Sequence, residues 1–409
     1  MKINLKDLVA AIIIITSIIS NLSSNIIGIP LAIIWFVLAY LENRKSFSTY
    51  FLSNKKLVLF VYFWVIVSII LFVIKNTFMT SYEIKNIIRI AINLLIFGYY
   101  FYLEDTKSIK FLLKIALITI SIYSIFTVRA LIESPNLSRI LATENPEKYT
   151  GYISNRFVGG YDFAYGITFV LISLFSVTFN KDFITTKNKL LNYIIIALLT
   201  ITLLYQQFTI ALILLIIGIG INLLKIRNIR QLMLWIVIIT IIVLVMSNYI
   251  ITLLNFIAKN IKQETISQRI YEVTSLLEEK RLDNTVDLKE RTKKYITSFA
   301  TFLKDPLGLN DEKEIGNHSE LLDEYAKYGV VIATITIIPI YIYIKFIYCK
   351  LQSNSKRRIW FSITILYLVF NIINTTMFIN VTILIFFVTP AIIYISEEKE
   401  KEHENTLGS

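Results

Sequence analysis

The chain is short of the residues that most often carry chemistry. It has one cysteine, Cys349, in 409 residues, so neither an intrachain disulfide nor a thiolate metal site is expected. It has two histidines, His318 and His403. His403 lies in an acidic tail, which leaves one histidine for proton transfer. Charged residues make up 17% of the chain, against about a quarter in a soluble domain. That scarcity excludes a disordered chain and a soluble enzyme. No G-x-x-x-x-G-K-[ST] phosphate loop is present, so ATP-driven transport and chemistry on cytoplasmic sugar nucleotides are not expected.

What abounds is apolar. Hydrophobic residues are 56% of the chain and its mean hydropathy is +0.65. Stretches 8–19, 57–74 and 232–245 hold almost no charge. The pattern predicts an all-α polytopic membrane protein with about twelve transmembrane helices and one large helical extracytoplasmic loop. The expected spans are 8–22, 26–41, 57–74, 86–103, 111–132, 161–179, 190–206, 207–224, 232–257, 329–348, 359–377 and 379–396. The chain then divides into transmembrane helices over 1–257, the large loop over 258–328, three further helices over 329–396 and an acidic tail over 397–409. No cleavable signal peptide is expected, because the first apolar run leads directly into the next.

Charge sets an expected orientation. With the N-terminus in the cytoplasm, the inner tails and loops carry 20 Lys and Arg, among them Lys55, Lys56, Lys356 and Arg357. The short outer loops carry five: Lys75, Lys85, Arg139, Lys148 and Arg156. This is the positive-inside pattern, with both termini inside. The loop over 258–328 holds 12 basic and 14 acidic residues. The net charge of +12 therefore belongs to the membrane body. It reflects topology and anionic lipid, not nucleic acid.

Polar side chains inside expected spans cost about 2.5–3.5 kcal/mol each when charged, so each is a candidate site residue. Arg89, Arg129, Asp162 and the Gln206-Gln207 step all fall toward the outer half of the membrane under this topology, with Arg156 close before Asp162. Simpler roles compete. Arg89 and Arg129 also suit snorkelling to the headgroups, Arg156 can pair with Asp162, and the glutamines can serve the backbone of a tight hairpin.

The outer loop contains two expected helices. Over 286–303, Leu288, Tyr295, Phe299 and Phe302 share a face, and Arg291 lies on the same stripe. Over 317–328, Asn317 reads as the N-cap with Glu320 three residues on. Pro339 is expected to kink the span that follows. His318 points toward the apolar side of the second helix, near its N-terminus, where the dipole lowers a histidine pKa. A neutral imidazole there suits a general base; a histidine that only packs or caps the loop is the alternative. Glu320 and Glu324 are the fallback bases, Glu320 being the nearer.

These residues also carry a resemblance. Arg291 through Asp305-Pro306-Leu307-Gly308, then Gly316-Asn317-His318-Ser319-Glu320 and Tyr328-Gly329, is similar to the outer loop of the O-antigen ligase/polymerase superfamily, in particular its Wzy-type polysaccharide polymerases. Arg156-Phe157-Val158-Gly159-Gly160 through Asp162 resembles the segment before that family's central spans. The similarity covers residues 150 to 340, and the rest is hydropathy. Relatives often have a Ser-Arg step where this chain has Gln206-Gln207.

The resemblance implies a GT-C-like glycosyltransferase of the bacterial cytoplasmic membrane. Its substrates are lipid-linked oligosaccharides. A growing glycan leaves undecaprenyl pyrophosphate and joins the non-reducing end of the next lipid-linked repeat unit at the outer face. It implies no metal or other cofactor, since the undecaprenyl pyrophosphate belongs to the substrate. A flippase and a chain-length regulator are the implied partners. Arg291 would act with His318 and Glu320 in catalysis. Arg156, Arg129, Arg89, Asp162, Gln206 and Gln207 would bind substrate. A ligase of the same superfamily and a lipid-linked oligosaccharide flippase are the competing readings.

Overall fold

The computed structural model describes residues 4–19, 25–74, 81–135, 137–138, 158–180, 183, 189–226, 230–235, 237–238, 247–260, 267, 271, 274, 286–308, 313–375 and 379–396. Among them every extended regular element is helical. The helices are α1 (Leu5–Ile18), α2 (Asn25–Glu42), α3 (Arg44–Ser53), α4 (Lys55–Ile74), α5 (Ser81–Leu103), α6 (Thr106–Glu133), α7 (Tyr161–Phe179), α8 (Lys189–Gln206), α9 (Thr209–Leu223), α10 (Ser247–Asn260), α11 (Val286–Lys304), α12 (Glu320–Lys350), α13 (Asn354–Ile373), α14 (Ile379–Ile383) and α15 (Thr389–Ile395).

Six of these segments are long and apolar enough to cross a membrane: Lys55–Val73, Glu83–Leu103, Thr106–Glu133, Tyr161–Phe179, Lys189–Gln206 and Glu320–Lys350. Gly28–Glu42, Thr209–Leu223 and Val381–Ile395 are apolar but shorter. The protein is thus a membrane-embedded helical protein. Most of the expected span 232–257 before α10 lies outside the described residues.

The chain forms two compact units. The first comprises residues 1–224, 334–369 and 376–409. In it α6 packs on α1 and α8, α7 on α8 and α9, α1 on α2, and α4 on α5. Lipid is as apolar as the side chains, so close fit rather than water exclusion must hold such helices together. Two glycines permit that fit. A Cβ on Gly166 would lie 2.3 Å from Leu384, and one on Gly218 would lie 2.5 Å from Ile172.

Polar bolts add specificity. Asp7, buried at the start of α1, accepts from the Tyr100 hydroxyl at 3.0 Å and from Ser108 at 2.8 Å. The neighbouring Lys6 pairs with Glu42 at 3.1 Å. Between α14 and α15 the chain makes a buried π-helical turn, Leu384–Val388. Pro390 has no N–H to give the carbonyl four residues before it. That carbonyl, on Phe386, accepts from the Tyr343 hydroxyl at 2.9 Å instead.

The second unit comprises residues 225–333 and 370–375. It contains α10, α11, the first turns of α12 and the end of α13. Within α12 only Gly329 departs from helical dihedrals, at φ 70° and ψ 178°. The break thus falls where the expected helix over 317–328 ends, and Pro339 sits inside the helix that follows. Proline at a helix interior costs one hydrogen bond, whereas a glycine can adopt a conformation closed to other residues.

Candidate functional site

The candidate site in the second unit begins with two helix ends. The last turn of α13 leaves carbonyls that no helical N–H reaches, and the first turn of α12 leaves unsatisfied N–H groups. They meet. The Glu320 N–H donates to the Asn374 carbonyl at 3.1 Å. The Ser319 hydroxyl donates to the Asn371 carbonyl at 3.3 Å, and the Tyr295 hydroxyl of α11 to the Ile373 carbonyl at 2.7 Å. The positive end of α12 thus faces the negative end of α13, which is the favourable sense of the two dipoles.

Ser319, not Asn317, caps α12. Its hydroxyl accepts from the Leu322 N–H at 3.2 Å. Asn317 has a left-handed φ of 53° and turns the chain into the cap; asparagine tolerates that region better than most residues. His318 lies between the two.

Asp323 holds this turn. It is buried, and one oxygen accepts from the backbone N–H groups of His318 at 2.6 Å and Ser319 at 2.9 Å. The other accepts from the Ser298 hydroxyl of α11 at 2.5 Å, and Ser298 accepts from the Gly316 N–H at 2.9 Å. Gly316 passes so close to α11 that a Cβ would overlap the Lys294 carbonyl.

A second clamp holds the turn after α11 against α12. Gly308 and Gly329 both have left-handed φ, 72° and 70°, and each backbone lies where the other's side chain would be. The Val330 N–H donates to the Pro306 carbonyl at 2.8 Å. The buried Lys313 ammonium pairs with Asp305 at 3.3 Å and donates to the Lys327 carbonyl at 2.8 Å.

His318 stacks at a tilt beside Tyr295, with ring centroids 6.0 Å apart. Its Nε2 is buried and has no hydrogen-bond partner among the described residues. Burial lowers its pKa first, and the charges of Arg291 and Lys294 lower it further; an Asn317 backbone hydrogen bond and Asp323 push the other way. The imidazole is therefore held neutral at neutral pH. The expected lowering has a different cause from the helix dipole alone. Burial raises the Tyr295 pKa, while Arg291 pulls it down. Arg291 thus acts electrostatically on both rings.

Glu320 opens α12 half-buried and engaged, but the carboxylate that organises the turn is Asp323. Sequence reasoning missed Asp323 and Ser298, and it read Tyr295 only as part of the apolar stripe. The readable signal was an Asp in the first helical turn after a serine cap, a place where side chains commonly satisfy free N–H groups. Their convergence from α11 and α12 was not readable.

The α11 stripe also divides. Tyr295, Ser298 and Phe302 turn inward, with Phe302 edge-on to Tyr325 at 5.5 Å. Phe299, expected with them, is 51% exposed.

The other sequence candidates belong to the first unit, except Arg156, which lies outside the described residues. Gln206 is buried. Its amide donates to the carbonyls of Gly159 at 2.8 Å and Gly160 at 3.3 Å, while Oε1 has no partner among the described residues. The Gly159 N–H donates to Thr127 at 2.8 Å, and the Tyr123 hydroxyl to the Val158 carbonyl at 3.0 Å. Asp162 accepts from the Phe163 N–H at 2.9 Å. Gln207, with φ 58°, makes the step between α8 and α9. Arg89 is buried on α5, against Gly28, where a Cβ would lie 2.9 Å from Nε. Arg129 lies on the exposed face of α6, 3.8 Å from Glu133.

The first unit thus joins Gln206, Gly159, Gly160 and Thr127 in one hydrogen-bonded cluster. The second joins His318, Arg291 and Asp323. No protein-family model matches the chain, and no curated protein matches it.

Proposed function

We propose that the protein is a glycosyltransferase, a polysaccharide polymerase that uses polyprenyl-pyrophosphate-linked oligosaccharides at the outer face of the membrane. The observation that carries this reading is His318. It is the one described histidine, burial and nearby cations favour its neutral form, its Nε2 has no partner among the described residues, and a cation acts on it from α11. In the proposed step an acceptor sugar hydroxyl attacks the anomeric carbon of the donor glycan. The bond from that carbon to the pyrophosphate oxygen breaks, the pyrophosphate leaves with the electron pair, and His318 takes the hydroxyl proton. Arg291 stabilises the charge that develops on the leaving group. Asp323 positions His318 through its backbone. A pyrophosphate leaving group needs no nucleotide, which suits a chain with no phosphate loop.

The test is complementation of a polymerase-null strain, read as a glycan ladder. A ladder excludes transport as the sole function. His318→Gln is expected to remove most polymer, since a general base contributes roughly 10²–10⁴ in rate, and single repeat units should accumulate. Arg291→Lys should also lose long chains, because an ammonium does not replace a bidentate guanidinium. Near-normal ladders from His318→Gln together with loss in Glu320→Gln would move the base to Glu320.

A further inference from the structure

Helix α11 has two apolar faces, and the candidate site uses only one. The inward face carries Tyr295, Ser298 and Phe302. About a quarter turn away, Ile296, Phe299 and Leu303 are each more than half exposed. Two exposed lysines, Lys293 and Lys304, flank this outer face. The stripe does not end with the helix. Leu307, in the turn that follows, is 59% exposed, and its backbone packs against Gly329. Val330 and Val331, the next residues of α12, are exposed as well. They open the apolar stretch by which Glu320–Lys350 qualifies to cross a membrane.

An exposed apolar row of this kind in water would be an aggregation hazard. Here the exposed apolar residues of α11, Leu307 and Val330-Val331 belong to one compact unit, and the last two open a membrane-crossing segment. We infer that α11 lies in the membrane interface, with Ile296, Phe299 and Leu303 in the boundary between headgroups and acyl chains. Its occupant is lipid. Lys293 and Lys304 sit at headgroup level, where they attract anionic phosphates. The membrane surface then acts as a second support for the helix that presents Arg291 and Tyr295 to His318. This placement rests on the membrane character of the chain and not on glycan transfer, so it can be tested in a His318→Ala background.

The experiment uses the full chain with Cys349→Ser, which removes the single native thiol. Cysteine is introduced by Ile296→Cys, Phe299→Cys or Leu303→Cys, and by Thr297→Cys as the off-face control. Each variant is labelled with an environment-sensitive NBD probe and placed in nanodiscs of phosphatidylcholine and phosphatidylglycerol. At 296, 299 and 303 the emission should shift to the blue. Nitroxide-bearing lipids with a shallow label should quench most of it, while 297 escapes quenching. Water-like emission at all three outer positions overturns the inference. So does equal quenching at 297. Shielding that lipid nitroxides do not reach, and that disappears on protein dilution, would show a second copy on this face and overturns it too. Because the three outer positions are exposed, a variant that fails to fold at one of them leaves the other two to decide.

Discussion

Asp323→Ala is the most incisive perturbation of the loop unit. The carboxylate accepts from two backbone N–H groups and one hydroxyl. Ser298 and Ser319 are almost wholly buried, so water cannot replace the lost acceptor for them. A buried donor left without a partner costs about 1–3 kcal/mol, which places the two together at about 2–6 kcal/mol. The half-buried His318 N–H adds less, because water reaches it. Taking about 3 kcal/mol, local opening of the turn should become roughly 10²-fold more frequent. The assay is hydrogen exchange read by mass spectrometry over residues 313–326 of the detergent-purified protein, with α6 as internal reference. Faster exchange confined to the loop is the expected result. Asp323→Asn keeps one acceptor oxygen and should show a smaller increase. If Asp323→Ala exchanges like the wild type over 313–326, the carboxylate does not hold His318, and the positioning argument fails.

Further outcomes follow from the same geometry. His318 has its pKa lowered, so the fold favours the neutral imidazole; this contribution to stability is present above the ordinary value of 6.5 and is lost as pH falls through the lowered one. In a His403→Ala background, nitrogen NMR should place the His318 midpoint below 6.5, and Arg291→Gln should move it upward because a repelling cation is removed; a midpoint at or above 6.5 contradicts the burial argument. Gly329→Ala forces a side chain into a φ of 70° and sets its Cβ 2.3 Å from Leu307; backbone strain alone costs about 1–3 kcal/mol, so the melting temperature should fall clearly, and an unchanged melt refutes the clamp. Gln206→Leu strips the donor from the Gly159 and Gly160 carbonyls and should destabilise by about 1–3 kcal/mol, read as a lower midpoint in detergent; a gain in stability would mean the amide serves substrate at the expense of the fold.

Much of the architecture was legible in the chain because lipid imposes a harsh rule. Apolar runs must become helices, since an unpaired backbone group in hydrocarbon has no water to bond. Long runs such as 57–74 and 161–179 were therefore readable, and α4 and α7 occupy them. Helix α11 and the turn at Gly308 were readable from periodicity and from Pro306-Leu307-Gly308. His318 and Arg291 stood out because each is a polar residue on an otherwise apolar face. Periodicity of one helix cannot say which neighbour claims which part of its surface, so Phe299 was grouped with Tyr295 although it turns outward. The same blindness hid Asp323, whose role depends on Ser298 arriving from another helix and on the nearby His318-Ser319 turn folding back onto it. Composition alone determined that the protein is helical and membrane-embedded, because hydropathy is a property each residue carries by itself. Only the tertiary structure decided that His318 is held by Asp323 and kept neutral beside Arg291, because burial and charge are properties of what surrounds a residue.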